Sequence, residues 1–190
     1  MRILSPLAPV IVIAMAATAA ISAQTSDASH SPAAISQMKT GIDLKKHGDS
    51  IGAEAHYREA IRLDPDFAEP HYNLAILLSE RGDISQAIGE YKKAIHIDDN
   101  YAEAHFNLGI LLGKKGDAKG EIKEYQRAID SAPNYASAHY NLANALVQQG
   151  EYGGAIDQYQ SYLRLAPKAA DAAKVRGMIE KLRAANGQKQ

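Results

Sequence analysis

Three histidines recur at one fixed interval, and their imidazoles are the side chains best suited to chemistry. His71, His105 and His139 lie 34 residues apart in a chain of 190 residues. Imidazole binds metal ions and moves protons near neutral pH, so a metal site or an acid–base site is the first hypothesis. Zinc needs its ligand nitrogens about 2.0–2.1 Å away, whereas neighbouring packed helices are about 8–10 Å apart. If each histidine lies on its own helix, the three imidazoles are too far apart to bind one metal ion, and they pack within the fold instead. We therefore predict no metal site and no cofactor.

No other spacing in the sequence matches a common catalytic pattern. H-E-x-x-H, G-x-S-x-G and phosphate-loop patterns are absent. The chain has no cysteine, which excludes thiol nucleophiles and zinc–thiolate sites. We predict no catalytic residues; an enzyme that uses His71, His105 and nearby carboxylates stays open as the less favoured alternative.

The histidines belong to a longer repeated block. His-Tyr-Asn-Leu-Ala at residues 71–75 recurs as His-Phe-Asn-Leu-Gly at 105–109 and as His-Tyr-Asn-Leu-Ala at 139–143. A fixed period of this length indicates stacked structural repeats. The register predicts a degenerate first unit at residues 34–67, followed by units at residues 68–101, 102–135 and 136–169.

Each unit reads as two helices joined by a short turn. In the second unit, apolar residues recur every three or four positions along a first helix, Glu69–Arg81. Gly82 ends this helix, and Asp83 or Ser85 caps the second one. Short connections make consecutive helices antiparallel neighbours. The pattern of residues 170–185 predicts a last helix that covers the end of the stack. Together, the repeated helix pairs and this last helix predict an all-α solenoid.

The N-terminus has the pattern of a secretory signal peptide. Arg2 is the only charged residue before Asp27, and Leu7–Ala17 is almost entirely apolar. We predict a cleaved signal peptide at residues 1–23 and a flexible linker at residues 24–33. The mature protein is then periplasmic or secreted, without membrane insertion; an uncleaved N-terminal membrane anchor is the alternative.

The repeated units resemble the tetratricopeptide repeat family, which places small residues at its eighth, twentieth and twenty-seventh positions. Ala75, Ala87 and Ala94 match those positions in the second unit. Glu121 departs from the pattern because it replaces the second small residue of the third unit. An unpaired buried carboxylate is costly, so we expect Glu121 to tilt out to water. Tyr162 replaces the third small residue of the last unit, and we expect it at the seam with the capping helix.

The resemblance implies that the first helices line a concave groove that binds peptides. Asparagine amides offer a donor and an acceptor together, which matches a peptide backbone unit; the alternative is that they satisfy local backbone groups. The family's clamp for an acidic chain terminus does not fit, because Met38, Ile42, Glu103 and Asn107 occupy four of its places. The predicted peptide-binding residues are Tyr72, Asn73, Ile76, Phe106, Asn107, Ile110, Tyr140, Asn141 and Asn144.

The sequence therefore predicts an α-solenoid of four tetratricopeptide repeats with a C-terminal capping helix. Its predicted function is that of a non-catalytic, monomeric scaffold or adaptor that binds an extended segment of a protein partner. The net charge of −1, from 21 basic and 22 acidic residues, gives no electrostatic basis for binding nucleic acid. A self-associating or membrane-anchored assembly scaffold stays open as the alternative.

Overall fold

Nine α-helices follow one another along residues 30–187, the part of the chain that this computed structural model describes. They are α1 (Pro32–Lys46), α2 (Ser50–Leu63), α3 (Ala68–Arg81), α4 (Ile84–Ile97), α5 (Ala102–Lys114), α6 (Ala118–Ser131), α7 (Ala136–Gln148), α8 (Tyr152–Leu165) and α9 (Ala172–Gly187). Within that range no β-strand is present. The predicted signal peptide, at residues 1–23, and residues 24–29 of the predicted linker lie outside the described residues.

A glycine in the left-handed conformation ends the first helix of every pair. Gly82 has a φ of 94°, and the N–H of Asp83 returns to the carbonyl oxygen of Leu78 at 2.8 Å. This bond pattern closes a helix C-terminus and favours glycine, which has no Cβ to clash. The same turn occurs at Gly48, Gly116 and Gly150. The prediction that the first helix ends at this glycine is confirmed.

The residue after each glycine starts the second helix. The side chains of Asp49 and Asp117 accept hydrogen bonds from the N–H groups of Gly52 and Gly120, at 2.8 and 2.9 Å. Such caps satisfy an amide that the helix leaves unpaired. Asp83 stands at the same position, but its carboxylate accepts from Arg81 instead. Of the two predicted caps, Asp83 rather than Ser85 holds the N-cap position of α4, but its side chain makes no capping hydrogen bond.

Small residues allow the two helices of each pair to pack closely. Gly109 on α5 faces the ring of Tyr125 on α6, and a Cβ added to this glycine would lie 2.8 Å from two ring carbons. In the second pair, Ala75 and Tyr91 are both buried at the matching positions. Each helix also packs on the next one along the chain, from α1 to α9. The apolar core therefore runs through the whole stack, as in an α-solenoid.

The two ends of the stack are closed in different ways. At the N-terminal end, the ring of His30 stacks on Phe67 with centroids 4.3 Å apart. The backbone N–H of Ser31 donates to Asp64 at 2.9 Å. These contacts fix the chain just before α1, although the sequence placed both residues in a flexible linker.

At the C-terminal end, α9 lies against α8. Val175 and Ile179 are buried, and Met178 and Leu182 pack beside them. The hydroxyl of Tyr162 donates to Asp171 at 2.6 Å, so the predicted place of Tyr162 at the seam is confirmed. Among residues 30–187, no helix combines the length and the apolar character needed to cross a membrane.

Candidate functional site

The three repeated histidines, which we call the histidine row, are buried within their own helix pairs. His71, His105 and His139 have relative exposures of 5%, 6% and 8%. The Nδ1 atom of His71 lies 2.7 Å from Glu90, and that of His105 lies 2.6 Å from Glu124. Each partner is on the second helix of the same pair, so the row joins the two helices rather than facing a ligand.

The partners of the histidine row could have been found in the sequence. Each one comes 19 residues after its histidine. His139 follows the rule with Gln158 at 2.7 Å. The first pair reverses the order, because Gln37 on α1 meets His56 on α2. A polar pair at two fixed positions is therefore a feature of all four helix pairs.

Two histidines of the row also fasten the loop that precedes their helix. Nε2 of His105 lies 3.1 Å from the carbonyl oxygen of Asp99, and Nε2 of His139 lies 3.0 Å from that of Pro133.

Burial raises the pKa of Glu90, but hydrogen bonds from His71 and Lys93 outweigh this effect, and the pKa lies below the ordinary value of 4.5. The prediction that these histidines pack within the fold is confirmed by these contacts. Within residues 30–187, no group of three or more potential ligand side chains is arranged to hold a metal ion.

The repeated asparagines, which we call the amide row, are Asn73, Asn107 and Asn141, and all three are half-buried. The Nδ2 atom of Asn107 donates to the hydroxyl of Tyr72 at 3.2 Å. Burial raises the pKa of Tyr91, and a hydrogen bond from Asn107 opposes the rise. The row is therefore not uniform, because Asn107 is tied to two tyrosines of the preceding pair.

The other two amides have different surroundings. Burial raises the pKa of Tyr125, and a hydrogen bond from Asn141 opposes this rise too. Asn73 makes no side-chain hydrogen bond with any described residue. Because no buried side-chain nitrogen or oxygen among the described residues lacks a partner, the amide of Asn73 is open to water. The three amides are therefore not equivalent, since tyrosine hydroxyls contact two of them.

The three predicted aromatic contacts also differ in exposure. Tyr72 and Tyr140 are half-buried, whereas Phe106 has no exposed surface. The ring of Phe106 lies between Tyr125 and Tyr135, with centroids 5.7 and 4.9 Å away. Phe106 lacks the hydroxyl that keeps the edge of a tyrosine near water, so its ring enters the core. A fully buried ring cannot contact a ligand, and Phe106 does not contribute to the site in this structure.

The remaining predicted residues lie on the same helix faces as the amide row. Ile76 on α3 and Ile110 on α5 are half-buried and pack beside the core. Asn144 on α7 is also half-buried, and it accepts a hydrogen bond from Tyr159. We call the half-buried surface of α1, α3, α5 and α7 the first-helix face. It presents amide side chains on α3, α5 and α7 and isoleucine side chains on α3 and α5.

Glu121 does not tilt out to water as expected. It is half-buried, and a Cβ added to Gly113 on α5 would lie 2.5–2.7 Å from the three atoms of its carboxylate. Gly113 thus leaves the space that the larger side chain fills. Burial raises the pKa of Glu121, and a hydrogen bond from Tyr125 offsets part of the rise. Glu121 and Gly113 both lie in the third unit, and the large side chain of one fills the space left by the other. This pair of residues is the sequence signal that could have revealed the contact.

The fold and this face define a helical-repeat protein of the solenoid class. A family model described as TPR repeat matches residues 77–116. Two models described as Tetratricopeptide repeat match residues 56–89 and 106–170. The chain belongs to the tetratricopeptide repeat family.

Solved structures share this architecture. The crystal structure of MamA protein superposes with a TM-score of 0.71 at 26% identity, over 80% of this chain and 83% of MamA. YrrB, described as a TPR protein with an unusual peptide-binding site, gives a TM-score of 0.68 at 22% identity, over 80% of this chain and 78% of YrrB. MamA 41-end from Desulfovibrio magneticus RS-1 gives 0.65 at 20% identity, over 82% and 97% of the two chains.

The two structures below 25% identity establish the fold alone. A sequence comparison with curated proteins finds no match. Proteins of this family are generally non-catalytic interaction scaffolds, and the fold supports a role in protein interaction.

Proposed function

We propose that this protein is a non-catalytic adaptor that holds an extended segment of a partner protein along its first-helix face. The observation that carries the proposal is the alignment of half-buried Tyr72, Asn73 and Ile76 on α3 with Asn107 and Ile110 on α5. An extended peptide needs apolar contact together with partners for its backbone groups, and this face offers both. The buried histidine row on the same helices supplies rigidity behind the face.

The location of the protein is a second part of the proposal. The signal-peptide pattern of residues 1–23 supports release of the mature chain into the periplasm or the medium. Sequencing the mature N-terminus tests this point. A start at Gln24 or Ile21 is expected, whereas a start at Met1 contradicts cleavage.

Peptide selection on the full chain tests the binding function. A random peptide library is selected on the immobilised protein, and the affinity of one selected peptide is measured by fluorescence anisotropy. Asn73→Ala is the informative variant, because its amide makes no contact that holds the fold. We expect it to weaken binding about three- to ten-fold, the effect of one lost hydrogen bond.

The matched control is Asn134→Ala, because Asn134 is an exposed asparagine in the loop before α7. Its affinity should equal that of the wild type. Failure to select any peptide would contradict the proposed function, and so would binding that no substitution on the first-helix face alters.

A further inference from the structure

Two neighbouring helices of the first-helix face carry the same three-residue stripe. On α3 the stripe is Glu69, Asn73 and Ile76, and on α5 it is Glu103, Asn107 and Ile110. Intervals of four and then three residues place such side chains on one side of a helix. The two helices are in contact beside these stripes, because Asn107 of the α5 stripe reaches the hydroxyl of Tyr72 on α3.

The flanking helices carry other side chains at these positions. The stripe of α1 is Ile35, Lys39 and Ile42, and that of α7 is Ser137, Asn141 and Asn144. Acidic residues therefore occupy the first stripe position only in the middle of the face. This arrangement marks α3 and α5 as a region with its own electrostatic character.

The amide of Asn107 presents an acceptor to this region. Its Nδ2 atom donates to the hydroxyl of Tyr72 at 3.2 Å, and its amide also makes a hydrogen bond with Tyr91. The Oδ1 atom of an amide has two lone pairs, so it can accept a hydrogen bond from a ligand that reaches it.

The two glutamates have no cationic partner among the described residues. Neither Glu69, which is half-buried, nor Glu103, which is exposed, takes part in a salt bridge within residues 30–187. Up to Ser79 on α3 and Gly113 on α5, neither helix carries Lys or Arg. The carboxylates are therefore available to a cation from outside the chain.

Aromatic rings border the carboxylates. Tyr72 and Tyr101 stack with centroids 4.8 Å apart. Burial raises the pKa of Tyr72 to about 12, and the charge of Glu103 acts in the same direction. For Tyr101 as well, burial raises the pKa, with Glu69 and Glu103 adding to the rise. Carboxylates beside tyrosine rings form an environment that attracts ammonium and guanidinium groups.

We propose that α3 and α5 select a partner segment with two basic side chains, Arg or Lys, two or three residues apart. Neighbouring helices are on the order of 10 Å apart, and an extended chain rises about 3.3 Å per residue. The two basic groups then reach Glu69 and Glu103, while a donor of the segment meets Asn107. This inference rests on the proposed function, because it names the chemistry of the segment that the face holds.

A different explanation of the glutamates lies in the helix dipole. Each one is in the first turn of its helix, where a negative charge is favourable. However, α1 and α7 have no acidic residue in the first turn, so the fold does not require one there. A role in helix stability alone predicts no preference among peptides, and the two explanations differ in a measurable way.

Peptides are selected on the wild-type full chain. Their affinity for two double variants is then compared with their affinity for the wild type. Glu69→Gln/Glu103→Gln removes the two charges and keeps the side-chain shape. The control, Asp130→Asn/Glu151→Gln, makes the same change in net charge at exposed positions outside α3 and α5. We expect Arg and Lys pairs to be enriched in the selected peptides, and binding to be roughly ten-fold weaker for the first variant. The control variant should bind like the wild type.

A second arm leaves the protein unchanged. Replacing the two basic residues of a selected peptide by Gln should weaken its binding to the wild type to the same degree. Selected peptides without basic enrichment, or equal binding by the first variant and the wild type, would overturn the inference while leaving peptide binding itself established. If no peptide is selected, the proposed function fails and the inference fails with it.

Discussion

The histidine row and the amide row lie two residues apart on the same helices, yet their surroundings are opposite. His105 is buried and contacts Glu124 and the carbonyl oxygen of Asp99. Asn107, about half a turn further along α5, is half-buried and reaches across to Tyr72 of the preceding pair. In an α-helix, side chains two positions apart point in nearly opposite directions. A pattern that repeats as one block in the sequence therefore serves two separate surfaces in the structure.

The comparison shows why repetition alone does not identify a binding site. Both rows recur at the same interval and both are polar. They differ in whether a second repeated residue provides a hydrogen-bond partner. Each histidine has such a partner 19 positions downstream. The amides lack such a constant partner, since Asn73 has none among the described residues and Asn107 has two.

The largest effect is expected from a break in the histidine row. His105→Ala removes the link between α5, α6 and the preceding loop, and it leaves Glu124 without its partner. We expect a loss of about 2–3 kcal/mol in the free energy of unfolding, measured in urea. The cost of the unpaired Glu124 carboxylate adds to the cost of the cavity that the imidazole leaves. His96→Ala, at an exposed site, should change it by less than about 0.5 kcal/mol. Equal effects of the two substitutions would show that the row does not hold the fold.

A smaller effect is expected within the amide row. Asn107→Ala removes hydrogen bonds to two tyrosines and should cost about 1 kcal/mol in the same measurement. Asn73→Ala should change the free energy of unfolding by less than about 0.5 kcal/mol, because its amide is open to water. A larger loss for Asn73→Ala than for Asn107→Ala would reverse our assignment of the two amides.

Two carboxylates connected to the rows should give pH dependences of opposite sign. The pKa of Glu90, beside the histidine row, is lower in the folded protein than its ordinary value of 4.5. It therefore stabilises the fold above that value and loses this effect as the pH falls through the folded pKa. Glu90→Gln should be less stable than the wild type at neutral pH, on the order of 1 kcal/mol, and the difference should shrink in acid. A constant difference from neutral pH into acid would contradict this assignment.

Glu121, connected through Tyr125 to Asn141, should behave in the opposite way. Its pKa is raised by burial, so its ionised form destabilises the fold at neutral pH and the penalty disappears as the pH falls toward 4.5. Glu121→Gln should be more stable than the wild type at neutral pH, on the order of 1 kcal/mol or less, and should match it near the ordinary pKa. Urea unfolding across this range measures both variants, and a Glu121→Gln protein that is less stable at neutral pH would contradict the burial of a charged group.

Much of the fold could be predicted because it depends on local, repeated signals. The helix ends follow from Gly82 and its counterparts, and the seam of the capping helix follows from Tyr162. The sequence did not predict what depends on contacts across the stack. Phe106 occupies the same register position as Tyr72, and two tyrosine rings flank each of them. Phe106 has no hydroxyl, however, and its ring is fully buried. Glu121 enters a space that exists only because Gly113, on another helix, has no side chain.

The measurement that tests the comparison most directly is an NMR titration of the full chain with a selected peptide. The side-chain amide signal of Asn73 and the imidazole signals of His71 and His105 are followed in the same experiment. We expect the Asn73 amide to shift on binding while the two imidazoles, buried behind the face, stay unchanged. Shifted imidazole signals with an unchanged Asn73 amide would contradict the assignment of the amide row to the partner and of the histidine row to the fold.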